Sequence, residues 1–194
     1  STVRMDTELS PWVATELDTL DLGHGARNWR ARRMLDQMLR HPAGTIAQTF
    51  TNPAERKAAY RFVESDAFEW TQLARAIHEG CARRCAAHEE VLVVLDGSVF
   101  QHTDRAHDDG VGPIGTRSGG ARGLKVMAAI AMTLSGLPLG VAAHHLWARS
   151  EQGVEPHARR PLEDKESQHW SGQQRAFESV LDEVGAGCSV LYVM

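Results

Sequence analysis

An abrupt change in residue pattern near position 90 constrains the fold of this chain more than any other feature. Residues 91–95 read Val-Leu-Val-Val-Leu, and Asp96 and Gly97 follow directly. A continuous apolar run of this kind is typical of a central strand covered on both faces, because a half-exposed strand alternates apolar with polar residues. We therefore expect a buried strand at 91–95 that carries a carboxylate at its carboxyl end.

The residues before this run predict helices. Apolar side chains recur at helical spacing in 11–20, where Trp12 belongs to the stripe, and again in 26–41. Asn52 followed by Pro53 is typical of a helix start, because the Asn side chain caps backbone amides and Pro suits the first turn. The same kind of cap at Asp66 predicts a helix that runs to about residue 88.

A hairpin, a helix and a last strand are predicted after the run. Their segments are 125–134, 137–147, 164–184 and 189–194. Ser135-Gly136 joins the first two segments as a hairpin turn, and the last segment is expected to be a second buried strand. The fold class is therefore mixed α+β, with a helical domain at 1–88 and a sheet-containing domain at 89–194.

Composition excludes several classes of protein. The 194 residues are 42% apolar and 24% charged, which excludes a disordered tail, a collagen-like fibre and a disulfide-stapled miniprotein. A net charge of −4 argues against a uniformly basic nucleic-acid binder. No window approaches the roughly 20 apolar residues of a membrane helix, so no membrane partner is expected. Three cysteines form an odd set and favour a reducing compartment.

Asp96 is the first candidate functional residue. A carboxylate at the carboxyl end of a central strand projects toward the crevice in which α/β sheets hold ligands. A buried carboxylate also needs a partner, and a divalent cation is a natural one. The alternative is a turn-forming Asp that caps the next segment.

A basic segment lies within this net acidic chain. Arg27, Arg30 and Arg33 are spaced three residues apart and share one helix face, and Arg61 lies between Tyr60 and Phe62. Arginines on a helix face contact phosphates or the edges of guanines. The alternative is a solvated helix face, and Arg61 is then only a surface charge. The flanking aromatics are expected to pack Arg61 onto the helical domain.

A glycine-rich loop at 110–123 introduces further cations, which are Arg117, Arg122 and Lys125. Its glycines do not fit the spacing of a phosphate-binding loop that ends in Lys-Ser/Thr, so no nucleoside-triphosphate site is expected. A flexible basic loop near Asp96 suits a polyanionic substrate. The alternative is an ordinary surface loop.

Two groups of potential metal ligands have simpler explanations. Cys81, Cys85 and His88 share a helix face, but no fourth ligand accompanies them, and buried thiols explain them better than a zinc site. His144 and His145 lie in an apolar strand, where alternation points only one of them inward.

Several short motifs occur in order along the chain. They are Trp12, Leu22-Gly23, Arg27, Arg30, Ala59-Tyr60-Arg61-Phe62, Leu95-Asp96-Gly97-Ser98, Arg122-Gly123, Asp164-Lys165-Glu166-Ser167 and Trp170. This ordered set resembles the cut-and-paste DDE transposases of bacterial insertion sequences and composite transposons. The resemblance extends from Trp12 to Met194.

The resemblance implies a helical domain that binds transposon-end DNA, followed by a ribonuclease H-like catalytic core. In that family three carboxylates hold two divalent ions, Mg²⁺ or Mn²⁺, and Asp96 matches the first carboxylate. The second would directly follow the strand at 189–194, and the third would come later. We therefore expect an amino-terminal fragment with strands one to four and one helix of the core, which neither holds the ions stably nor cleaves DNA.

The resemblance also implies partners. They are double-stranded DNA at the transposon end and, in the full-length parent, a second copy of the protein on that DNA, in the bacterial cytoplasm. Two alternatives stay open: a non-catalytic or inhibitory DNA-binding protein derived from a transposase, and an unrelated nuclease of ribonuclease H-like fold. The codon after Met194 separates them, since an Asp is expected there for a transposase fragment and a stop for a naturally truncated protein.

Overall fold

The computed structural model describes residues 9–103, 110–114, 120–150 and 168–194, and it divides the chain into two compact units. Unit 1 is residues 1–80 and unit 2 is residues 81–194. The division falls within a helix, ahead of the boundary expected near residue 89. No described helix combines the length and the apolar character that crossing a membrane requires.

Unit 1 is helical, as the apolar spacing predicts. Its helices are α1 (Pro11–Glu16), α2 (Gly25–Arg40), α3 (Ile46–Thr49), α4 (Pro53–Val63) and the greater part of α5 (Trp70–Cys85). The predicted start of α4 is confirmed, because the Asn52 side chain accepts hydrogen bonds from the amides of Ala54 and Glu55. Apolar residues of these helices and of the segment between α1 and α2 form the core of the unit, including Leu17, Leu22 and Ala31.

Two details of the helical prediction are wrong. Trp12 does not belong to the buried stripe, since it is 49% exposed while Val13 beside it is buried. The helix expected from Asp66 begins at Trp70 instead. The Glu69 amide, just before the first turn, donates a hydrogen bond to the Gln72 side chain at 2.9 Å, so Gln72 rather than Asp66 caps this helix.

Unit 2 is built around a five-stranded sheet. The strands are β1 (Glu90–His102), β2 (Gly112–Pro113), β3 (Arg122–Met132), β4 (Pro138–Trp147) and β5 (Ser189–Val193), and helix α6 (Gln168–Glu183) precedes β5. β3 pairs antiparallel with β1, β2 and β4, whereas β5 pairs parallel with β1. The central position of β1 and the β3–β4 hairpin are thus confirmed. The hairpin turn contains Gly136 at a φ of 87°, a conformation that favours glycine.

The described helices of unit 2 cover one face of the sheet. Along β1, Val91, Val93 and Leu95 are buried, whereas Leu92 and Val94 between them are only half-buried. The residues that pack against the buried face include Cys81 and Cys85 of α5 and Phe177 and Leu181 of α6. The prediction of a strand buried on both faces is therefore wrong for the described part of the chain.

The last strand differs from its prediction in the same way. β5 forms an edge of the sheet, and Leu191 and Val193 are about half exposed. Val190 and Tyr192 point to the other side and pack against the core. The segment at 189–194 is thus a one-sided edge strand, because α5 and α6 supply apolar partners to only one of its faces.

Candidate nucleic-acid interface and candidate metal ligand

Two of the arginines expected to contact DNA bond to neighbouring parts of unit 1. Arg27 Nη1 donates to the Leu22 carbonyl at 2.9 Å, and Arg30 Nη1 forms a salt bridge with Glu55 Oε2 of α4 at 2.7 Å. The Arg30 side chain is only 22% exposed. A guanidinium carries five N–H donors, so these bonds leave donors on both arginines for a further contact.

Arg33 belongs to a charge cluster around the buried carboxylate of Asp36. Asp36 accepts hydrogen bonds from the Ser10 amide at 3.1 Å and from Arg40 Nε at 3.2 Å, and Arg33 Nη1 lies 3.9 Å from its Oδ2. Burial acts to raise the pKa of Asp36. The hydrogen bond from Ser10 and the hydrogen bond and charge of Arg40 outweigh burial and hold that pKa below its ordinary value. Arg33 therefore helps to neutralise a buried charge.

Two exposed cations of unit 1 lie on α4. Lys57 and Arg61 are both exposed and four residues apart, so they share a helix face. Phe62 packs against the core as predicted, but the prediction is wrong for Tyr60, which is 41% exposed. Sequence reasoning missed Lys57, although its spacing from Arg61 is the signal that would have identified it.

Asp96 lies inside β1 rather than at its end. β1 continues to His102 because β3 pairs with it throughout this stretch, and Asp96 faces Ala128 in that register. The strand is thus longer than predicted, and Asp96 does not form a turn. The parallel ladder with β5 ends at Val94, so Asp96 lies just beyond the parallel part of the sheet. Its carboxylate is exposed, and Oδ1 accepts a hydrogen bond from the Gly97 amide at 2.8 Å.

His144 shares a row of the sheet with Asp96. Ala128 of β3 pairs with Asp96 on one side and with His144 of β4 on the other, which places the two outer residues roughly 10 Å apart. Burial, and then the charge of His145, lowers the pKa of His144, so this imidazole is neutral at neutral pH. His145 stacks instead with Trp147, at 5.4 Å between ring centroids.

The cations assigned to the glycine-rich loop lie partly in the sheet. Arg122 and Lys125 are residues of β3, because the short strand β2 pairs with the start of β3. Arg122 Nη2 donates to the Val111 carbonyl at 2.7 Å, and Lys125 Nζ lies 5.9 Å from the ring centroid of Trp147. The expectation of a flexible loop is therefore wrong for Arg122, whereas Lys125 lies in the first strand of the predicted hairpin. Arg117 lies outside the described residues, as does the motif at 164–167.

The cysteines of α5 are core residues. Cys81 and Cys85 are fully buried and form no disulfide, which confirms the prediction of buried thiols. A hydrogen bond with Cys81 lowers the pKa of Cys85, against the opposing effect of burial. His88 lies beyond the end of α5 and is exposed. Among the described residues no cluster of three or more His, Cys, Asp or Glu side chains is arranged to hold a metal ion.

A comparison with known protein families matches a segment of unit 1. The family model described as transposase DNA-binding matches residues 10–68, which include α1 to α4. The matched segment contains Arg27, Arg30, Arg33 and Arg61 and ends before Asp96. A comparison with curated proteins gives no match.

Proposed function

Because residues 10–68 match the family model described as transposase DNA-binding, we propose that the chain is the amino-terminal part of a DDE transposase of the insertion-sequence type. Unit 1 binds double-stranded DNA at a transposon end. Unit 2 contributes the first half of a ribonuclease H-like catalytic domain, and the full-length parent acts as a homodimer on DNA in the bacterial cytoplasm. The family match carries this proposal, and the strand arrangement of unit 2 supports its catalytic part.

Cations of α2 and α4 form the DNA interface in this proposal. The salt bridge from Arg30 to Glu55 joins the two helices, and α4 presents Lys57 and Arg61 to solvent. We assign phosphate contacts to these two exposed cations. Arg27 and Arg30 contact DNA through those N–H donors that are not used in their bonds to Leu22 and Glu55. Arg33 acts indirectly, by stabilising the Asp36 cluster.

Salt dependence tests the phosphate contacts. A duplex selected by the wild-type chain from a randomised library serves as the probe. We expect Lys57→Ala and Arg61→Ala each to weaken binding to all sequences alike and to reduce the slope of log affinity against log salt by about one. Arg175→Ala is the matched control, since Arg175 is an exposed cation on α6. Unchanged slopes in both α4 variants would contradict the assignment.

A charge exchange separates the two roles of Arg30. Arg30→Glu removes both the salt bridge to Glu55 and any DNA contact, whereas Arg30→Glu combined with Glu55→Arg restores only an ion pair between the helices. We expect the double variant to regain thermal stability but not DNA affinity. Full recovery of affinity would show that Arg30 acts only by joining α2 to α4.

The position of Asp96 supports a role as a metal ligand. Its carboxylate is exposed on the face of β1 opposite the buried Leu95, and the Gly97 amide donates a hydrogen bond to Oδ1. β5 runs parallel to β1 up to Val193, so a residue after Met194 would lie beside Asp96. Carboxylate oxygens such as those of Asp96 are the ligands that a hard divalent cation prefers.

The metal-binding part of the proposal assigns Mg²⁺ or Mn²⁺ to Asp96 together with carboxylates of a longer parent protein. When bound, two such ions activate the attacking oxygen and stabilise the leaving oxygen of a DNA phosphodiester. Asp96 contributes one negative charge and one orienting ligand. We expect the 194-residue chain not to cleave DNA, because a single carboxylate offsets too little of the charge of two cations.

Two measurements test the role of Asp96. Mn²⁺ added to the chain should broaden the NMR signals of residues next to Asp96, and Asp96→Asn should abolish this effect. Asp66→Asn is the control, since Asp66 is an exposed carboxylate of unit 1. Equal broadening in Asp96→Asn would contradict metal binding. Nicking of plasmid DNA that requires Mg²⁺ and vanishes in Asp96→Ala would contradict the need for further carboxylates.

A further inference from the structure

Trp29 is a large aromatic side chain that the fold leaves on the surface of α2. It is 48% exposed, whereas Ala31 and Met34 of the same helix are buried. Single exposed apolar residues are common on protein surfaces, so exposure alone assigns no role to Trp29. Two further observations suggest a role for the exposed ring: the side chains beside it, and its place within the residues that match the DNA-binding family model.

The arginine side chains next to Trp29 are bonded to other parts of unit 1. The guanidinium carbon of Arg30 lies 5.3 Å from the centroid of the Trp29 ring, and the salt bridge with Glu55 fixes that guanidinium. Arg27, two residues earlier, is bonded to the Leu22 carbonyl. An aromatic ring on such a support loses little conformational entropy when it binds.

Two small residues precede Trp29 on the same helix. Gly25 and Ala26 in the first turn of α2 are small and exposed, and a Cβ added at Gly25 would meet no atom within 4 Å. In paired DNA the faces of the bases are stacked, so an indole reaches only their edges. The apolar group on those edges is the C5 methyl of thymine, which lies in the major groove.

We propose that the indole of Trp29 contacts the C5 methyl of one thymine in the bound DNA and thereby reads the base at that position. The inference rests on the proposed DNA binding by unit 1. It adds to that proposal a base-specific apolar contact, which the phosphate-binding cations Lys57 and Arg61 do not supply.

Replacement of thymine by deoxyuridine tests this contact, because it removes the methyl group alone. The full chain first selects duplexes from a randomised library. Each thymine of the selected duplex is then replaced in turn, and dissociation constants are measured by fluorescence anisotropy at constant salt. Loss of one buried methyl group corresponds to about a fourfold weaker affinity. We expect this penalty at one thymine for the wild-type chain and its disappearance in Trp29→Ala.

Trp70→Ala is the matched control, since Trp70 is 52% exposed and lies outside the matched residues. This variant should keep the penalty, and circular dichroism confirms that both variants fold. The inference is overturned if the wild-type chain shows no penalty at any thymine, or if Trp29→Ala keeps the full penalty while still binding the duplex. A library from which no duplex is enriched overturns the DNA binding of unit 1 itself, which distinguishes the two failures.

Discussion

The two units differ in whether their candidate functional groups also stabilise the fold. In unit 1 two of the arginines expected to contact DNA also stabilise the fold, Arg30 through its bridge to Glu55 and Arg33 through the cluster around Asp36. In unit 2 the stabilising contacts are apolar and centre on residues such as Phe177, while Asp96 points away from them. Function and stability are therefore coupled in unit 1 and separable in unit 2.

Removing a side chain at the centre of the apolar core should lower the free energy of unfolding more than any other change considered. Phe177 is 0% exposed, so Phe177→Ala leaves a cavity and should cost about 3–5 kcal/mol of the free energy of unfolding of unit 2. Hydrogen exchange should rise in peptides from β1 and β3 but not in those from α2. Phe100→Ala is the control, because Phe100 is 60% exposed. Equal loss of protection in α2 would contradict the separation of the units.

Removing the buried charge of unit 1 should have the next largest effect. Asp36→Asn keeps the side-chain shape but leaves the guanidinium of Arg33, which is 15% exposed, without its nearby counter-charge. We expect a loss of about 2–3 kcal/mol, measured by denaturant unfolding and by exchange in α2. Asp66→Asn should change little, since Asp66 is exposed. Similar losses in both variants would show that the Asp36 cluster does not stabilise unit 1.

The pH dependence of unit 1 should follow from the same carboxylate. The pKa of Asp36 is lowered in the folded protein, so its contribution to stability is present above the ordinary pKa of 3.8 and is lost as the pH falls through the lowered value. Unfolding of α2 should therefore need less denaturant at about pH 3 than at about pH 6. Asp36→Asn should reduce this difference, and an unchanged difference would assign the acid sensitivity to other groups.

Removing a helix cap should have the smallest effect of the series. Asn52 accepts hydrogen bonds from the amides of Ala54 and Glu55, so Asn52→Ala should cost about 1 kcal/mol. Exchange should increase in the first turn of α4 and leave β1 unchanged. Thr51→Ala, at the exposed neighbouring position, provides the comparison. A loss as large as that of Asp36→Asn would mean that caps rather than charges dominate the stability of unit 1.

Local signals in the sequence predicted much of the fold. The cap at Asn52, the hairpin turn at Ser135-Gly136 and the central place of β1 were all recognisable from neighbouring residues. The start of α5 was not, because Asp66 and Gln72 both offer a cap and only the folded chain selects between them. The length of β1 also escaped prediction, since pairing with β3 carries the strand through the polar residues after Leu95.

The candidate sites were less predictable than the elements that carry them. Spacing places Arg27, Arg30 and Arg33 on one helix face, but their bonding depends on groups elsewhere in unit 1. Ser10 and Asp36 are 26 residues apart, and Arg30 and Glu55 are 25 apart. No periodicity within a helix reveals such partners, which is why the burial of Arg33 and the exposure of Trp29 appear only in the structure.

The sequence by itself determined the order of the longer helices and strands, though not α3 or β2, because apolar spacing and caps act between residues a few positions apart. It also placed a carboxylate on the central strand. Only the tertiary structure decided which side of β1 is covered, which arginines serve the fold and which aromatic ring faces solvent. Those outcomes depend on contacts between distant segments, since burial and charge pairing are properties of the packed chain.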